Sequence, residues 1–133
     1  MKRLFLAAAA LTAAGAAAAD PVGRAEYMVA CAGCHGESAM GDGPLAGLLE
    51  IETPGLTRLA AAHGGEFPYA SVIATIDGRD GVRAHGAPMP VWGDRYVSAA
   101  LAIAGEGETP ETVDMEARAR ILSLVVYLIS IQE

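Results

Sequence analysis

With 133 residues the chain has room for one small domain, and 53% hydrophobic content with 19% charged residues excludes a disordered or low-complexity sequence. A net charge of −7 argues against nucleic acid as a partner. Sixteen glycines and seven prolines indicate a loop-rich fold, of a size that often relies on a staple or cofactor to complete its core.

The chain opens as an export signal. Met1, Lys2 and Arg3 make a cationic start, an apolar stretch follows from Leu4, and Ala17, Ala18 and Ala19 precede Asp20 and Pro21. Residues 1–19 are therefore read as a secretory signal cleaved near Ala19, and 20–133 as the exported, periplasmic domain. The apolar part is shorter than the roughly 20 residues that span a bilayer, so no stable membrane insertion is expected after cleavage. Removing Lys2 and Arg3 takes the net charge to −9 and leaves seven arginines and no lysine.

Apolar spacing then predicts helices over 23–32, 67–77, 95–104 and 115–131, with a short turn at 56–62. The last is the strongest, with apolar residues at 121, 122, 124, 125, 128 and 129. No alternating strand pattern competes, and the expected class is all-α.

Between the first predicted helix and a glycine-rich stretch lie the two cysteines, in Cys31-Ala32-Gly33-Cys34-His35. A redox dithiol, half a zinc site and covalent attachment of haem all use such a run. Zinc would call for a second ligand pair at matching spacing, and none follows. A thioredoxin-like dithiol belongs in a βαβ context, which these flanks lack. A structural disulfide across so short a loop constrains little and leaves His35 without a role. Haem attachment uses all three side chains, because i, i+3 and i+4 share one face of a helical turn. The two thiols suit the two vinyl groups on one porphyrin edge while the imidazole points at the iron, and export suits attachment outside the cytoplasm.

With this motif near the mature N-terminus, the sequence resembles the small monohaem c-type cytochromes of class I. Gly23 and Tyr27 match the glycine and aromatic of that family's first helix, and Leu124 and Tyr127 match its last helix, which crosses the first at the glycine. The resemblance implies a cytochrome c fold, four to five helices wrapped around one haem c bound through Cys31 and Cys34, with His35 as an axial ligand.

Among the methionines, Met28 lies one turn before Cys31, Met40 lies five residues past His35, and Met115 opens the last predicted helix, where core filling is the ordinary role. Met89 stands between Pro88 and Pro90, 54 residues beyond His35, in a segment whose Met-Pro, aromatic and glycine match the family's distal loop. The resemblance thus implies Met89 as the second axial ligand, with His85 and then His63 as alternatives. The glycine-rich 36–44 stretch resembles the family loop that ends in proline, which makes the Pro44 carbonyl the expected acceptor for the His35 ring N–H. Trp92 is a candidate for a haem propionate or for core beside the ring. Arg79, Arg83 and Arg95 are further propionate candidates, with a solvated surface position as the ordinary alternative for each.

Where the family passes quickly to its last helix, this chain inserts 96–114, an apolar helix and an acidic turn, read as surface elaboration. The expected function is periplasmic electron transfer by a His/Met-ligated haem, as a soluble carrier or as the cytochrome subunit of a redox complex. The alternative is a haem protein with an open sixth position that binds or reduces a small ligand, as in a peroxidase-like or gas-binding protein. Electron transfer makes the chain a non-enzyme whose partners are redox proteins with a basic docking surface, complementary to Glu106, Glu108, Glu111 and Asp114.

Overall fold

The computed structural model describes residues 20–79 and 89–133; the expected signal, Arg83 and His85 lie outside the described residues. Within them the regular elements are helices α1 (Pro21–Ala30), α2 (Ala32–His35), α3 (Leu59–Ala62), α4 (Tyr69–Asp77), α5 (Trp92–Ile103) and α6 (Pro110–Ser130), with a 3-10 turn at Ala46–Leu48. The described chain is all-α, and none of its helices is long and apolar enough to cross a membrane.

Local chemistry sets the helix ends. The Asp20 carboxylate accepts from the Val22 and Gly23 amides at 2.9 and 3.2 Å, so α1 starts at Pro21, two residues before the predicted start. The α6 helix begins five residues earlier than predicted. Its start is fixed by a reciprocal cap: Thr109 Oγ1 accepts from the Thr112 amide at 3.4 Å, and Thr112 Oγ1 accepts from the Thr109 amide at 2.9 Å. Thus α5 and the first turn of α6 take up much of the 96–114 insertion.

The core forms where α6 lies against α1, α5 and α4. Tyr27, Tyr96, Ile121, Leu124 and Val125 are fully buried there. A Cβ at Gly23 would land on the Ser123 carbonyl, and close approach of α1 to α6 therefore demands glycine at that crossing. Beside it the Tyr27 and Tyr127 rings pack at 5.2 Å between centroids, tilted by 49°. The C-terminus is tied down as well: Gln132 donates to the Leu56 carbonyl at 2.8 Å and accepts from the Ala60 amide at 3.0 Å. One end of α6 is thereby fastened to the first turn of α3 and to the segment that precedes it.

Candidate functional site

The cysteine motif folds as the predicted single turn. The Cys34 and His35 amides both donate to the Cys31 carbonyl, at 3.1 and 2.8 Å, which sets Cys31, Cys34 and His35 along one face of α2. Gly36, at φ 82°, ends the turn in a conformation that favours glycine.

Such a short helix leaves its last carbonyls without intrahelical partners. The following loop supplies them, since the Leu45, Gly43 and Gly41 amides donate to the Gly33, Cys34 and His35 carbonyls at 2.8, 3.0 and 2.8 Å. A Cβ at Gly43 would sit 2.5 Å from the Gly33 carbonyl oxygen, so the loop closes only with glycine there. From the opposite side, the buried Tyr27 hydroxyl donates to the Gly36 carbonyl at 2.7 Å, locking the turn to the core. Burial raises the Tyr27 phenol well above its ordinary pKa and keeps it a donor.

The carbonyl that meets His35 belongs to Pro54, not to Pro44. His35 Nδ1 lies 2.9 Å from the Pro54 oxygen, and because a carbonyl only accepts, Nδ1 carries the proton. In the neutral ring the lone pair is then on Nε2. Pro44 is exposed, in a loop whose amides are committed to the α2 carbonyls. The 53–56 segment instead crosses the 39–41 turn, with the Leu56 amide donating to the Ala39 carbonyl at 2.7 Å, and this crossing delivers Pro54 to the ring.

A cavity of about 540 Å³ brings Cys31, Cys34 and His35 together with Met89, Pro90 and Trp92. Its remaining wall includes Val29, Leu45, Leu49 and Ile51, and these aliphatic contributions were not singled out in the sequence although the run 45–51 carries five apolar side chains. Among the described methionines Met89 alone lines the cavity. Met28 packs against the core, Met40 takes a 3.5 Å contact from the Thr57 hydroxyl, and Met115 is 64% exposed on α6. His63 is exposed, with Nδ1 donating to the Leu59 carbonyl at 2.8 Å, away from the cavity. Trp92 opens α5, and the Arg95 guanidinium lies 5.0 Å over its ring. Arg79 is no solvated charge, because it pairs with Asp77 and Asp114.

Cys31 and Cys34 are not joined in a disulfide. Burial, with the neighbouring Cys34 and Glu26, pushes the Cys31 thiol up to about 12, and a thiol held protonated makes a poor redox nucleophile. Among the described residues no three His, Cys, Asp or Glu side chains gather to hold a metal ion by themselves. The cavity offers one imidazole, one thioether and a pair of thiols on adjoining positions of a turn, within an aliphatic wall. Compared with known protein families, curated proteins and solved structures, the chain matches none.

Proposed function

We propose that this chain is a monohaem c-type cytochrome with the cytochrome c fold, exported to the periplasm, where it transfers electrons. The observation that carries the reading is the convergence of Cys31, Cys34 and His35 with Met89 on one cavity. The residues fit a haem. The cavity volume falls within the roughly 300–1,000 Å³ of cofactor pockets, its wall is mainly aliphatic, and an imidazole with a thioether is a donor pair suited to iron. Cys31 and Cys34 would anchor the group covalently, and His35 and Met89 would hold its iron. When bound, haem c supplies one iron that cycles between ferric and ferrous states.

The chain's own residues set the conditions for that cycle. The Pro54 carbonyl keeps the proton on Nδ1 of His35 and orients the ring. As a ligand, the soft Met89 sulfur would favour the reduced state and raise the potential. Val29, Leu45, Leu49 and Ile51 would lie against the bound group and lower the dielectric on that side of it. For docking, Glu106, Glu108 and Glu111 are exposed and suit a basic partner surface, while Asp114 is engaged by Arg79 and Arg118.

Acid–acetone extraction of the purified protein tests the attachment: the colour stays with the polypeptide, and haem released into the solvent would overturn the reading. Absorption spectra with carbon monoxide test the ligation. A reduced protein indifferent to the gas supports the His35/Met89 pair, whereas ready binding favours the ligand-binding alternative.

A further inference from the structure

We infer that the Asp77–Arg79 ion pair, seated on Gly93, is the positioning device for Met89. It joins the chain at 77–79 to the chain at 91–93, a neck two residues beyond Met89, whose thioether lines the cavity. This inference rests on the proposed role of Met89 as an axial ligand.

The neck is built from two independent contacts. Arg79 grips Asp77 with a two-pronged fork, Nε to Oδ1 at 2.5 Å and Nη2 to Oδ2 at 2.9 Å. Gly93, one residue into α5, packs directly on this pair: a Cβ there would meet the Asp77 carboxylate and come within 2.6 Å of Arg79 Nε. On the other side, Val91 lies over Gly78, whose φ of 68° closes α4, with a Cβ position only 3.3 Å from the Val91 side chain. Met89 is two residues from Val91 and four from Gly93. Its reach toward the cavity is therefore set by where the neck holds these residues.

A third element fixes the neck in space. The remaining prong of Arg79, Nη1, donates to Asp114 of α6 at 2.5 Å, and Asp114 also accepts from Arg118 at 2.6 Å. The inner pair is well covered, with 12% exposure for Asp77 and 21% for Arg79, so its charge-assisted bonds are strong. The outer Arg118 side chain is 62% exposed and contributes little. Only a guanidinium spans the three acceptor oxygens at once; lysine keeps the charge and loses the fork.

The test compares the full haem-loaded protein with Asp77→Asn, Arg79→Lys, Met89→Ala and, as a control, Asp20→Ala, which removes the α1 cap far from the neck. Carbon monoxide binding to the reduced proteins and their reduction potentials are read together. Met89→Ala binds the gas freely. Asp77→Asn and Arg79→Lys bind it roughly tenfold faster than the parent or more, with lowered potentials, as expected when one charge-assisted hydrogen bond is lost, and Asp20→Ala behaves as the parent does. If Asp77→Asn does not fold, Arg79→Lys decides alone. Neck variants that exclude the gas like the parent, while Met89→Ala binds it, overturn the inference and leave the ligand reading standing. An Asp20→Ala protein that opens as readily as the neck variants also overturns it, because general loosening would then be the cause. A Met89→Ala protein that stays closed overturns both.

Discussion

Tyr27 serves the site and the core with one side chain. Its ring packs on Tyr127 at the α1–α6 crossing, and its hydroxyl donates to the Gly36 carbonyl at the end of the cysteine turn. Tyr27→Phe keeps the packing and leaves the buried Gly36 carbonyl with only its 3.1 Å bond from the Ala39 amide, which costs roughly 0.5–1.5 kcal/mol. The urea midpoint falls while the slope of the transition stays unchanged, since the surface exposed on unfolding is the same; an unaltered midpoint would show that the hydroxyl is dispensable. Gly23 and Tyr27 were legible from spacing and resemblance. The Tyr27–Gly36 bond was not, because it depends on how the chain reverses after His35. The acceptor for His35 was misplaced for the same reason: the 36–44 loop was legible, but its amides are consumed by the α2 carbonyls, and the partner comes from Pro54, 19 residues beyond the ring.

At the scale of elements, α4, α5 and α6 meet at the Asp77–Arg79–Asp114 network. The hydrogen bonds from Arg79 hold the Asp77 carboxyl below its ordinary range against the opposing effect of burial, with Arg118 adding to the field. Asp114 is held low by Arg118 first and by Arg79 second. A folded-state pKa below the unfolded one contributes stability that is present above the unfolded value, about 3.9 for an aspartate, and lost as pH falls through the folded one. Urea midpoints measured from about pH 6 down to about pH 3 should therefore drop for the parent and drop less for Asp77→Asn. Equal slopes for the two proteins would remove Asp77 from the acid response. None of this network was read from the sequence, where Arg79 stood as a propionate candidate or a surface charge. Its partners lie two and 35 residues away on different elements, a pairing that no local periodicity encodes.

At the scale of the molecule, and on the proposed electron-transfer reading, the absence of lysine in 20–133 and the excess of carboxylates decide how a redox partner would be met. The exposed Glu106, Glu108 and Glu111 sit between α5 and α6 and at the start of α6, with Asp114 neutralised by its two arginines. Electrostatic steering by these groups gives an electron-transfer rate that falls steeply as salt shortens the screening length from roughly 30 Å at 0.01 M to about 10 Å at 0.1 M. Stopped-flow rates with the physiological partner across that range measure it. A flat or rising curve would transfer the docking role to the apolar side chains around the cavity, among them the 47% exposed Ile51.

What the sequence determined by itself was local. The all-α class, the four longer helices and the shared face of Cys31, Cys34 and His35 follow from spacings of one to eight residues, over which backbone geometry alone dictates which side chains are neighbours, whereas the glycine crossing at Gly23 was expected only from the family resemblance. Tertiary structure decided the rest. That Met89 lines the cavity with the cysteine turn, that Pro54 meets His35, and that Arg79 closes a neck on Gly93 each join segments more than ten residues apart. Such meetings are set by which loop amides are already committed and by how closely glycine lets two backbones approach, neither of which has a signature along the chain.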